Sequence, residues 1–348
     1  MAYTTINKSS LHMNTKLYTG NGGTQSIDVG FQSDWTWLKS RTETKNNILI
    51  DAVRGSSKDI ISNSANAENT DATRITGFDS DGFNLGSSST TNTNSQNYVS
   101  WNWKAGTSFT NDASSTGIGT IDSAGSFNND AGFSVVTYTG TGSNGTIKHG
   151  LNSVPKIVFW KRRDNAAGAV NWIVQSPLLG NQNKLVLNTT EATSSNSSFS
   201  QTNNWTNALI DLKTYEGQNA SNGTYVAYSF AEKQGYSKFG SYTGNGNANG
   251  PMIVTGMKPS FVMTKPSSAT GDWYMHDNKR DGYNPVNDYL KANANDAESN
   301  DDPRIDLLSN GFKFRTNHSS QNGSGVTYIY MAFGQSIVGT NNIPATAR

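Results

Sequence analysis

Three stretches of one chain say nearly the same thing: "LYTGNGG" from Leu17, "TYTGTGS" from Thr137 and "SYTGNGN" from Ser241. Their tyrosines, Tyr18, Tyr138 and Tyr242, stand 120 and 104 residues apart. Self-similarity at that spacing limits the chain to an architecture built from several like units, each too small to be the whole protein.

The resemblance runs through each unit. A glycine feeds an extended segment that ends in a basic residue: "GFQSDWTWLKSR" from Gly30, "GLNSVPKIVFWKRR" from Gly150 and "GMKPSFVMTKP" from Gly256. A short alternating run follows, "NILID", "NWIVQS" and "DWYMHD", in which Ile48, Trp172 and Trp273 are read as equivalent. An Asn-x-x-x-Ala signature then recurs at Asn63/Ala67, Asn188/Ala192 and Asn293/Ala297, at 45, 50 and 51 residues from the tyrosine. A Gly-Phe pair, Gly82-Phe83 and Gly311-Phe312, marks the first and third copies and is missing from the second. Every copy closes on an aromatic strand, "YVSWNW", "YVAYSF" or "YIYMAF", at 35, 37 and 35 residues from the signature Asn.

Aromatic and β-branched runs with period-two alternation, punctuated by Gly, Asn and Asp, predict antiparallel strands with one buried face. Only "VNDYLKANANDAES" from Val286 reads as a short helix. The expected fold is all-β, three tandem homologous antiparallel β-sandwiches of jelly-roll or concanavalin A-like type. The boundaries are an N-terminal docking arm at 1–16, sandwiches at 17–106, 132–233 and 234–334, a Gly/Ser/Asn-rich linker at 107–131, and a C-terminal tail at 335–348. The long linker sets the first sandwich on a tether, and the short "EKQGYSKFG" junction keeps the other two in contact.

Composition excludes several functions. A formal net charge of +1 provides no field to gather nucleic acid or an anionic membrane. The absence of Cys removes disulfides, thiol nucleophiles and zinc thiolates. No window approaches the roughly 18 apolar residues of a membrane span, and the start of the chain lacks a signal-peptide pattern, so the reading is a soluble protein. The sequons at Asn188 and Asn222 follow from a chain rich in Asn, Ser and Thr.

Catalytic patterns are not found. A glycosidase needs two opposed carboxylates, but Glu68, Glu191 and Glu298 sit at unequal offsets beside the Asn signature and read as solvated loop acids. His12, His149, His276 and His318 are scattered, so no metal site is expected, and no Gly-x-Ser-x-Gly elbow occurs. "DSDGFNLGS" from Asp79 lacks the ligands of a calcium loop and reads as a tight turn with Gly82 at positive φ. The acidic run around Asp301 reads as a solvated loop. Among the tryptophans, Trp172, Trp273 and the pairs Trp35/Trp37 and Trp101/Trp103 fit packing roles, leaving Trp205, in a polar loop, as the candidate sugar-stacking aromatic. No cofactor is expected.

The strings "NTKLYTGNGG", "DVGFQSDWTWLKSR", "FDSDGFNLGS" and "YVSWNWKAG" in the first copy resemble virion structural proteins of marine tailed bacteriophages. So do "NDAGFSVVTYTGTGSNGTIKHGLNSVPKIVFWKRR" in the second and the ending "YIYMAFGQSIVGTNNIPATAR". That resemblance implies concanavalin A-like sandwiches on the particle surface, as capsid decoration or a tail or fibre component, with no enzymatic activity. It implies as partners the major capsid or tail proteins and further copies of the chain, and as the alternative duty an adhesin that contacts a host surface glycan. Tyr3, Ile6 and Leu11 are the candidate assembly contacts on the N-terminal arm.

Overall fold

The aromatic and β-branched runs become strands in the computed structural model, which describes residues 4–302 and 304–338. The described residues form six antiparallel sheets, three large and three small. The first large sheet runs Met13–Thr19, Asn97–Trp103, Trp35–Ser40, Ile48–Asp51, Lys58–Ile61 and Asn69–Thr70. The second has the same order in Phe133–Thr139, Thr224–Phe230, Ile157–Arg162, Ile173–Gln175, Asn183–Val186 and Ser194–Ser195. In the third the order is Ser237–Thr243, Thr327–Ser336, Met257–Pro266, Tyr274–Asp277 and Leu290–Lys291.

The repeated tyrosine turn has one explanation in all three places. Tyr18, Tyr138 and Tyr242 lie opposite Tyr98, Tyr225 and Tyr328 and stack on them at 5.1, 5.2 and 4.8 Å between ring centroids. Their hydroxyls donate to the carbonyls of Thr91, Gln218 and Gln321, each seven residues before the paired tyrosine. The next residue along, Asn92, Asn219 or Asn322, accepts from the backbone N–H just past the Tyr-Thr-Gly turn. A Cβ on the turn glycine would meet a backbone carbonyl at 2.1 Å from Gly20, 2.4 Å from Gly140 and 2.2 Å from Gly244, so the close approach itself requires glycine.

Both faces of the large sheets are covered, where one was expected. The outer faces pack on the small sheets, in clusters such as Leu38, Ile48 and Ile50 against Ile27, Ile75 and Phe83. The inner faces meet each other in one common core of Trp35, Trp37, Trp101, Trp103, Phe159, Tyr228, Phe230, Phe261, Met331 and Phe333. Rings from different repeats touch there: Trp35 stacks on Tyr228 at 4.5 Å, and Phe333 lies 5.8 Å from Trp103 and 5.7 Å from Phe230. The polar residues that imitated a solvated face, including Thr36, Ser100 and Asn102, are buried, and Ser33 bonds both Thr36 and Asn102.

Four other expectations change. The supposed linker folds: Thr107–Asn111 and Ser123–Asn128 extend the second large sheet, so the first repeat is packed rather than tethered. The stretch from Val286 is not a helix, since Leu290–Lys291 is a strand and Val286 and Tyr289 form bridges. Cross-strand register makes Asn47, not Ile48, the counterpart of Trp172 and Trp273. In the small sheets, Gly82 and Gly311 need no positive φ; a Cβ there would lie 1.9 and 2.0 Å from the carbonyl oxygens of Ile27 and Ile253. The second repeat has Leu209 at that place, and its small sheet contains two strands, Gly145–Lys148 and Leu209–Leu212, where the others contain three.

Candidate functional site

The chemically densest places are the three seams between repeats. Each inner-face strand ends in a buried lysine, Lys39, Lys161 or Lys265. Each ammonium reaches into the loop after the Asn signature of a neighbouring repeat. Lys39 donates to Asn295 O at 3.2 Å, Lys161 to Ala65 O at 2.7 Å, and Lys265 to Thr190 O and Glu191 O at 3.2 and 2.8 Å. The repeats therefore hold one another in a closed cycle: first to third, third to second, second to first. Burial lowers Lys161 to about 7, and lowers Lys39 and Lys265 to about 8 against the opposing pull of nearby carboxylates.

The signature asparagines shape the loops that receive those lysines. Asn63, Asn188 and Asn293 accept from the backbone N–H of Asn47, Trp172 and Trp273, and donate to the side chains of Asn46, Asn171 and Asp272. Asn47, Trp172 and Trp273 then cross the same seams, donating to the carbonyls of Lys291, Ile61 and Val186. A backbone bond repeats as well, from Glu68 N to Arg163 O, Thr193 N to Ser267 O and Glu298 N to Arg41 O.

Glu68 and Glu298, expected as solvated acids, instead form the centres of two buried ion clusters. Glu68 binds Arg54 and Arg163 at 3.0 and 2.9 Å, while Arg54 also pairs with Asp51, whose carboxylate accepts from Tyr228 of the second repeat. Burial opposes ionisation of Glu68, but its arginine donors outweigh that and hold it below the ordinary range. Glu298 binds Arg41 and Arg280 at 2.6 and 3.0 Å, Arg280 pairs with Asp277, and Asp277 accepts from Trp101 Nε1. The missed signal was the spacing Asp-x-x-Arg, which occurs at Asp51/Arg54 and Asp277/Arg280, each followed by a Glu five residues beyond the signature Asn.

A surface cleft of about 580 Å³ opens where the inserted strands meet the second repeat, lined by residues including Thr110, Asn111, Asp112, Asp122, Thr139 and Arg163. Its charged groups have partners. Asp112 caps a single helical turn and is held low by bonds from Ser114 and Ser115. Asp122 accepts from Ala113 N–H, and Arg163 is engaged by Glu68. What remains is a hydroxyl-rich surface of Thr, Ser and Tyr side chains. Burial pushes His149 down to about 4 and, with nearby arginines, His276 to about 3, so both are neutral at pH 7. No group of metal-ligating side chains is found among the described residues.

The candidate residues do not converge. Trp205 is buried, stacks obliquely on Trp160 at 5.8 Å and donates to Ser200, so it offers no sugar platform; all eight tryptophans are buried. It fills the core beside the two-stranded small sheet, a packing need that a polar-looking local sequence conceals. Ile6 is 3% exposed within the common core, which makes residues 4–11 a strap across the repeats rather than a free arm, while Leu11 is exposed beside it. Tyr3 lies outside the described residues, as does 339–348 of the tail, whose first residues 335–336 belong to the Thr327–Ser336 strand. Asp79 accepts from Asn84, and Asp301 from Tyr289 and Arg304. No described helix is long and apolar enough to cross a membrane.

The profile of the family described as "Domain of unknown function (DUF7483)" matches residues 8–336, and the chain belongs to that family. Comparison with curated proteins found no match.

Proposed function

We propose that the chain is a non-enzymatic structural protein on the surface of a tailed-phage particle, built from three tandem homologous sandwiches of jelly-roll or concanavalin A-like type. The observation that carries this reading is where the recurrent residues go. The tyrosine pairs, the loop asparagines, the signature asparagines and the lysines are all engaged in turns or seams. Recurrence in this chain therefore serves closure of a rigid body, which is what a particle component requires; the resemblance of its sequence phrases to marine phage virion proteins is what supports the proposed location. Its partners would be major capsid or tail proteins and further copies of itself.

A second reading, an adhesin for a host surface glycan, is favoured by the hydroxyl-rich cleft beside Thr110 and Thr139. Gold-labelled antibody imaging of intact particles separates the two. Label over the head supports decoration, and label at the tail or fibres supports host contact. Particles that carry no label, with the antigen shown accessible, sink the virion reading.

A further inference from the structure

Each small sheet has an edge formed by its first strand, Gln25–Asp28, Gly145–Lys148 or Met252–Val254, and the three edges are treated differently. Backbone bonds from Val29 N to Asp81 O, His149 N to Ala208 O and Thr255 N to Asn310 O direct the odd-numbered residues of these strands to the neighbouring strand. The even-numbered residues therefore aim their N–H and C=O out of the sheet. In the second repeat the inserted segment covers this edge: Thr120 N and Ile121 N donate to Thr146 O, Thr146 N donates to Thr120 Oγ1, and Ile121 bridges Ile147. The outward groups of Ser26 and Asp28 in the first repeat, and of Met252 and Val254 in the third, have no hydrogen-bond partner among the described residues. Their side chains set these two edges apart. Ser26 and Asp28 are exposed and polar, whereas Met252 and Val254 are apolar and yet 47% and 61% exposed. One edge is covered, one is open and charged, and one is open and apolar.

We infer that the edge of Met252–Val254 pairs antiparallel with the same edge of a second copy of this chain, about a two-fold axis through Ile253. An unpaired edge is a template for another strand, and the covered edge of the second repeat demonstrates that this position of the small sheet takes a neighbour. The edge complements itself. With Ile253 opposite Ile253 of the second copy, Met252 meets Val254 on both sides of the axis, and these are the residues whose N–H and C=O point outward, so each pair exchanges two bonds. Ile253 is buried in the third repeat's core, which leaves the side chains of Met252 and Val254 on the solvent face of the sheet. Pairing brings them together and removes apolar surface from water. Charge permits the contact. The cross-strand neighbours are Lys313 beside Met252 and Gly311 beside Val254, so no like charges face each other across the axis, and a formal net charge of +1 leaves little repulsion between copies. Such a contact is the same patch on both partners and closes at two chains. The inference stands apart from the virion reading, since nothing in it depends on where the protein resides.

Light scattering on the full chain over a range of concentrations tests it, with Met252→Ser combined with Val254→Asp as the variant. That pair reproduces the edge of the first repeat, and both side chains are exposed, so the sheet keeps its core and its internal bonds. The expected result is a rise from the mass of one chain to two, and at least about tenfold weaker association in the variant, one decade in Kd. A single-chain mass at the highest concentration overturns the inference, and so does unchanged association of the variant. Should the variant fail to fold, hydrogen exchange of the unaltered protein decides. Slower exchange of the Met252 and Val254 amides at high concentration supports the dimer. Exchange independent of concentration, as an edge reserved for a different protein or covered by another segment of the same chain would give, overturns it.

Discussion

The seam between the second and third repeats differs from the other two in chemistry while keeping their geometry. All three share the lysine clamp, the signature asparagine and the crossing backbone bond. Where the first-to-second and third-to-first seams place Asp, Arg and Glu, the second-to-third seam places Ser176, Leu179 and Thr193; opposite them, Ser267 and Met331 replace an arginine and an aromatic residue. Buried ion clusters and apolar packing are thus interchangeable solutions at one site. That agrees with the small net worth of a buried ion pair once desolvation is counted. The seam without an ion cluster is also the one whose repeats are joined by the shortest connection, between the strands ending at Phe230 and starting at Ser237. Where the chain itself holds two repeats together, fewer directional contacts are needed.

Breaking one partner of a cluster has the largest expected effect. Arg280→Ala leaves Asp277 buried without its cation and Glu298 with Arg41 alone, and should cost about 3–5 kcal/mol in denaturant unfolding. Converting the whole set to the residues of the apolar seam, Asp277→Ser with Arg280→Leu, Glu298→Thr and Arg41→Ser, should cost less than that single change. A fourfold variant less stable than Arg280→Ala would defeat the idea that the two chemistries are equivalent.

The shared contacts should respond alike in seams with and without an ion cluster. Asn63→Ala, Asn188→Ala and Asn293→Ala each remove a carbonyl that accepts a backbone N–H, with an expected loss of about 1–3 kcal/mol apiece. A wide spread among the three, measured by the same unfolding method, would mean that the surrounding charges set the value of this bond.

The last effect is read as a pH slope. Lys161 titrates at about 7 in the folded chain and near the ordinary 10.5 once unfolded, so between those values the unfolded state binds more protons. Stability from this group therefore rises as pH is raised through that window, by at most about 1.4 kcal/mol per pH unit. Lys161→Met should flatten the rise between pH 7 and 10; an unchanged slope would show that Lys161 keeps its proton in the folded state.

Much of the local structure could be read in advance because its causes are local. The tyrosine turn, the closing strands and the signature asparagine recur since each solves a backbone problem within one repeat. The burial of Trp205 and Ile6 could not be read, because the surfaces that cover them belong to distant segments. Nor could the role of 107–131: Thr, Ser and Gly serve in a loop or in a strand that pairs with an existing edge, and the neighbour decides. Glu68 and Glu298 looked solvated because their arginine partners, Arg163 and Arg41, sit in other repeats.

By itself the sequence determined three like sets of antiparallel strands, since side-chain alternation and glycine requirements act over a few residues. Only the tertiary structure decided that the three inner faces share one core and that ion clusters belong at two seams. Those outcomes depend on surfaces brought together from residues a hundred or more positions apart, and no short-range pattern records which faces will meet.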